Sequence, residues 1–149
     1  IVLGGAAGAI PPLVGYAAVT GMVSISAIYL FLIIFFWTPP HFWSLALMIK
    51  DDYERAGIPM LPVVKGVDHT KRSIFAYTVL LVGLTLMFVW MEGMGWLYFI
   101  TSLVLGSMFV YYAWALLRRG TERATKRMYL YSLAYLFLLF AGIMLDAIV

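Results

Sequence analysis

The chain has 149 residues, of which 64% are hydrophobic and only 11% charged, with a net charge of +3 and no cysteine. Soluble domains carry about a quarter charged residues, so this composition, with a mean hydropathy of +0.99, excludes one and indicates an integral membrane protein. Disulfides and thiolate metal sites are excluded too, and the basic residues, gathered in loops, read as a topology signal, not as a nucleic-acid footprint.

The apolar runs are long enough to cross about 30 Å of hydrocarbon at about 1.5 Å per residue, and none alternates with period two. The expected fold is therefore all-α, a polytopic transmembrane helical bundle, and not a barrel. The chain starts at Ile1 with no initiator methionine, basic n-region or cleavage site, which predicts no signal peptide and a piece of a longer protein. No linker, low-complexity tract or short-period repeat divides residues 1–149, so one domain is expected.

Residues 1–21 are interrupted by Gly4, Gly5, Gly8, Pro11, Pro12 and Gly15 and read as a broken helix. Gly4 and Gly8 have the spacing of a close helix-packing face. Met22 to about Ile49 is a second span, interrupted at Pro39-Pro40, with a kink or a restart expected near His41. Backbone groups freed by such prolines must be satisfied by protein or by a cavity at membrane depth. Ser73 to Met91, Trp96 to Leu117 and Met128 to about Leu145 are the third, fourth and fifth spans. Trp90, Trp96 and Tyr98 at one turn, and Tyr129 and Tyr131 at another, are expected at the membrane interface.

Loop charges predict the orientation. Lys50, Arg55, Lys65, Lys71 and Arg72 follow span two, and Arg118, Arg119, Arg123, Lys126 and Arg127 follow span four, whereas the turn at 92–95 has no basic residue. The positive-inside rule then sets loops 50–72 and 118–127 on the cytoplasmic side, or the matrix side of an organelle, with the C-terminus outside.

The stretch from Trp37 to Pro62 concentrates the chemistry. It holds three of the seven acidic residues, Asp51, Asp52 and Glu54, beside Lys50 and Arg55, and ionisable groups are rare in membrane segments and mark function. Adjacent aspartates at a helix end open to water supply hard oxygen ligands for Mg²⁺, whose shell substrate phosphates complete. Lys50, Arg55 and Lys65 could hold phosphate oxygens. An ordinary i,i+4 pair between Asp51 and Arg55 explains the same residues without a ligand. His41 has two readings as well. A helix restarting after Pro40 would bring His41 and Asp52 to one face about 16 Å apart, opening one cavity from a deep histidine to a metal at its mouth. The alternative is a hydrogen-bonded core residue between aromatic neighbours. His69, in the polar stretch 67–71, is expected to be solvated, and no histidine-built metal centre has the required spacing. The methionines and the aromatic run Tyr29, Phe31, Phe35, Phe36 and Trp37 suit packing or an apolar cavity, where ring faces would favour a nearby cation.

Three motifs carry a resemblance: GAAGAIPPLVG at 5–15, WTPPHFW at 37–43 and DDYERAGIPMLP at 51–62. They closely resemble the haem O synthases (protohaem IX farnesyltransferases), a branch of the UbiA-type intramembrane prenyltransferase superfamily. The resemblance extends over the whole chain, as the C-terminal half or slightly more of a nine-helix member. It implies Mg²⁺-assisted ionisation of farnesyl diphosphate, attack on the allylic cation by a vinyl group of haem B, and capture by water. On this resemblance Asp51 and Asp52 are the catalytic, metal-holding residues of the second acidic motif, and Lys50, Arg55 and Lys65 contact the diphosphate. Trp37, Pro39, Pro40, His41, Trp43 and Tyr53 would line the haem or prenyl cavity, with His41 a candidate ligand of haem iron.

The resemblance also implies a bacterial or mitochondrial inner membrane and partners in haem A synthesis or oxidase assembly. Many superfamily members carry D-x-x-x-D where this chain has Arg55 and Ala56 four residues after the two aspartates, and DDYERAG follows the haem-modifying branch. The first acidic motif, N-x-x-x-D-x-x-x-D, belongs to the N-terminal half of such enzymes, and this chain contains no asparagine. Residues 1–149 are therefore expected to supply half of the metal site and no turnover alone. A prenyltransferase acting on a quinone or chlorophyll-type acceptor is the nearest alternative. A transporter with Gly/Pro-broken helices is the alternative of another class, disfavoured by the lack of a mid-membrane carboxylate.

Overall fold

A computed structural model describes residues 1–148, Glu92 by its backbone only. Five long helices are each apolar and long enough to cross a membrane: α1 (Val2–Thr20), α2 (Ile25–Met48), α5 (Val67–Glu92), α6 (Trp96–Arg119) and α7 (Glu122–Asp146). Two short helices, α3 (Lys50–Arg55) and α4 (Leu61–Val64), connect α2 to α5. The chain is thus an integral, multi-pass membrane protein, and no strand occurs among the described residues.

Helices α2, α5, α6 and α7 each pack on two of the others and close a four-helix bundle, with α1 laid against α2. The helices are apolar all round, so hydropathy does not select the inward face. Small residues and hydrogen bonds select it. Gly106 faces Val82 so closely that a Cβ would lie 2.8 Å from a valine methyl, and a Cβ on Gly142 would lie 3.0 Å from the Thr101 methyl. Buried Thr70, Thr78 and Thr85 return their hydroxyls to carbonyls of their own helix, which satisfies them without a partner helix. At Thr85 the bond network crosses three helices, because Tyr98 donates to its carbonyl at 3.0 Å and Tyr135 to its hydroxyl at 3.3 Å.

The two ends of the bundle are built differently. At one end the start of α5 meets the α6–α7 turn, where Gly120 takes the left-handed conformation (φ 58°) and a Cβ would lie 2.9 Å from Lys71 Nζ. At the other, Asp146 on α7 accepts from the backbone N–H groups of Gly95 (2.7 Å) and Tyr98 (3.0 Å). Its carboxylate therefore caps α6, in place of a local N-cap side chain.

Several expectations from sequence need correction. Helix α1 is continuous through Pro11 and Pro12, where a break was expected, and α2 is a full-length span that passes Pro39 and Pro40 without a restart. A proline removes one N–H and so one rung, while the rungs on either side still hold. The close face of α1 is Gly5 and Ala9, not Gly4 and Gly8. Gly5 and Ala9 are buried, with Thr38 against Gly5, while a Cβ on Gly4 or Gly8 would meet open space. The third span begins at Val67, and the fifth at Glu122, so Arg123, Lys126 and Arg127 are helical and the α6–α7 connection shrinks to Gly120 and Thr121. His69 is exposed as expected, but on α5 and not in a loop.

Among the aromatics expected at the interface, Trp90 and Trp96 are 83% and 78% exposed beside the α5–α6 turn. Tyr98 is instead fully buried, Tyr131 donates to Leu105 O at 2.8 Å, and Tyr129 turns inward. A phenol with a carbonyl in reach gains more by entering the bundle than by sitting at its edge.

Candidate active site

The conspicuous charges follow the break between α2 and α3. Ile49 leaves helical geometry (φ −116°, ψ 32°), and α3 starts afresh at Lys50. The expected single helical face joining His41 to Asp52 therefore does not exist: the interruption at Ile49 resets the register between them. Asp51 and Asp52 fall in the first turn of α3 and Arg55 in its last, the arrangement the helix dipole favours. Gly57 (φ 66°) reverses the chain, and Ile58 N–H closes onto Tyr53 O at 2.9 Å, before Pro62 seats α4.

On α3, Lys50 pairs with Glu54 at 3.3 Å and Arg55 with Asp52. The anticipated Asp51–Arg55 pair is replaced by this i,i+3 contact. Asp51 makes no ion pair among the described residues, nor does Lys65 at the C-terminus of α4. Asp51, Asp52, Arg55 and Lys65 are exposed, and Lys50 and Tyr53 half-buried. Among the described residues no three His, Asp or Glu side chains converge as metal ligands. Asp51 and Asp52 are both exposed to solvent, and exposed carboxylates are the ligand type that Mg²⁺ takes beside waters and phosphates.

A second group of the expected site residues lies inside the bundle, where α2 meets α7. His41 is buried and stacked between Trp37 (4.4 Å) and Tyr129 (4.9 Å), with Nδ1 2.7 Å from Ser132 Oγ. The Ser132 hydroxyl donates to Tyr129 O at 2.6 Å, so toward the ring it accepts. That bonding assigns the hydrogen to Nδ1 and leaves the lone pair on Nε2. Trp37 adds a bond from its indole N–H to Ser132 O at 2.7 Å. Pro39 and Pro40 are buried just above, and lacking N–H groups they free the carbonyls of Phe35 and Phe36 from helical bonding. This level is thus a polar spot inside an apolar bundle.

Trp43 is also buried, edge-on to Tyr77 at 5.2 Å. Trp37 borders an apolar cavity of about 570 Å³ between α2 and α7, lined further by Ile34, Leu133, Leu136, Phe137 and Phe140. Sequence reasoning missed Tyr129 and Ser132. Their i,i+3 spacing on one face of α7, polar residues in an apolar run, was the available signal.

Comparison with known proteins adds the family. The profile of the "UbiA prenyltransferase family" matches residues 1–143. Similar proteins include a "Protoheme IX farnesyltransferase" of Azoarcus sp. (strain BH72), 51% identical over 98% of this chain and 49% of that protein. Another, from Chloroflexus aurantiacus, is 51% identical over 100% of this chain and 25% of its own length. A "Protoheme IX farnesyltransferase 2" of Nitrobacter winogradskyi is 51% identical over 99% of this chain and 49% of that protein. The chain thus spans half or less of the length of these relatives. No solved structure gives a significant match. With the match running from the first residue almost to the last, over helices that the structure assembles into a membrane bundle, the chain belongs to the UbiA prenyltransferase family.

Proposed function

We propose that these residues form part of an enzyme that transfers the farnesyl group of farnesyl diphosphate to a vinyl group of haem B, yielding haem O. The observation that carries this reading is identity of about half the positions, over essentially the whole chain, to relatives named for that reaction. The charged α3 suits a diphosphate, while the apolar cavity beside Trp37 runs along Leu133 to Met144 of α7 toward the opposite end of the bundle and suits a hydrocarbon chain.

Asp51 and Asp52 would hold Mg²⁺ together with carboxylates from outside residues 1–149. When bound, the ion supplies positive charge to the departing diphosphate. Lys50, Arg55 and Lys65 bind diphosphate oxygens, and for Arg55 this requires exchanging Asp52 for phosphate. The cost of that exchange is small, since an exposed pair is worth about 0–1 kcal/mol. Of the residues expected to line the acceptor cavity, Trp37 borders the α2–α7 cavity with His41 stacked behind it, while Pro39 and Pro40 are buried in α2, Trp43 packs on Tyr77 of α5 and Tyr53 stays on α3. His41 presents Nε2 as an acceptor, which suits it to ligate haem iron. The basic stretches 50–72 and 118–127 face the cytoplasm or matrix, by the positive-inside rule, in a bacterial or mitochondrial inner membrane. Proteins of haem A synthesis and oxidase assembly are the expected partners.

The test is farnesylation of haem B by the full-length protein in detergent with farnesyl diphosphate and Mg²⁺. Asp51→Ala and Asp52→Ala are each expected to lower turnover on the order of a hundredfold. Full turnover in both variants removes the metal role, and failure of the unaltered protein to make haem O removes the reaction itself.

A further inference from the structure

The ten basic residues divide by what they touch. Lys50, Arg55 and Lys71 pair with Glu54, Asp52 and Asp68, and Arg118 lies over the Trp114 ring at 5.9 Å. Arg119 on α6 and Arg123 and Arg127 on α7 instead border one small cavity of about 50 Å³, together with Tyr111, Tyr112 and Thr121. None of the three makes an ion pair among the described residues. Glu122, the nearest acid in sequence, borders a different cavity on the α2–α5 side, beside Lys71. Three arginines thus border one hollow without an ion pair among the described residues, a local excess of positive charge that an anion would offset.

We propose that this cavity, at the charged end of the α6–α7 pair, binds the phosphate of an anionic membrane phospholipid. Basic hollows between membrane helices at the positive end suit lipid head groups. Arginine offers planar, multiple donors to phosphate oxygens, and tyrosine occupies head-group depth. The cavity has the size of a phosphate group, which leaves the rest of a head group at its mouth, and Leu103, Val104 and Leu130 on the same two helices expose apolar side chains to acyl chains. The site is separate from α3 and does not depend on the reaction proposed above.

Binding of phosphatidylglycerol to the delipidated full-length protein, measured by native mass spectrometry against phosphatidylcholine, tests the assignment. Arg119→Gln/Arg123→Gln/Arg127→Gln is expected to weaken phosphatidylglycerol binding by about tenfold or more, given three charges near the lipid phosphate. Arg72→Gln/Arg118→Gln/Lys126→Gln removes the same charge elsewhere and is expected to change it less than about twofold. Equal losses in the two triple variants, or no preference over phosphatidylcholine, overturn the site. Displacement of the lipid by millimolar inorganic phosphate or glycerol phosphate would assign the cavity to free anions and overturn the lipid.

Discussion

Thr85 and Asp51 are both polar residues in an overwhelmingly apolar chain, and their surroundings differ in kind. Around Thr85, hydroxyls and carbonyls of α5, α6 and α7 bond to one another, and no buried side-chain donor or acceptor lacks a partner among the described residues. Around Asp51 the charges stand in the open on a six-residue helix, joined by two pairs of near neighbours in sequence. The bundle interior has spent its polar groups on itself, as burial in a low-dielectric environment requires. The α3 patch has kept its polar groups available. Altering the interior should therefore cost stability, and altering the patch should cost activity at nearly constant stability.

The sharpest way to break this contrast is the pair of aspartate variants. Their loss of turnover, on the order of a hundredfold, should come with a thermal midpoint in detergent within experimental error of the unaltered protein. A falling midpoint would make the carboxylates structural. Next comes Gly106→Val, which forces a branched side chain into the Val82 contact. An overpacked helix contact costs about 1–3 kcal/mol, read as a lower midpoint, and the smaller Gly106→Ala should cost less.

Asp146→Ala removes the acceptor for two N–H groups at the start of α6 and should cost about 1 kcal/mol by the same measurement, with hydrogen exchange rising at 95–98. Ser132→Ala leaves the His41 Nδ1–H without its acceptor and should cost about 1–2 kcal/mol, while Ser132→Thr should retain the bond. The smallest effect belongs to Glu54→Ala, below about 0.5 kcal/mol, because an exposed i,i+4 pair is largely screened. A large destabilisation there would show α3 to be part of the packed structure.

Much of the architecture was legible in the amino-acid order. The five spans, the alternation of charged and uncharged turns and the charged stretch after α2 all follow from long apolar runs and from where Lys, Arg and Asp can reside near a bilayer. The proline pairs misled, because a missing rung reads as a break when neighbouring rungs cannot be counted. The start of α5 misled in the opposite sense. Asp68, His69, Lys71 and Arg72 read as a loop, yet they continue the helix beyond the apolar zone.

Hydropathy along the chain determined that this is a membrane protein and set the five candidate spans among the described residues, since one segment's transfer into hydrocarbon depends on that segment alone. Which faces meet was decided in three dimensions. With lipid and interior both apolar, only close approach at Gly5, Gly106 and Gly142 and bonds between distant residues distinguish inside from outside. His41 met Ser132 across 91 positions, and Asp146 met Gly95 across 51. No local pattern records such partners, because each is satisfied by whatever the fold brings within hydrogen-bond reach.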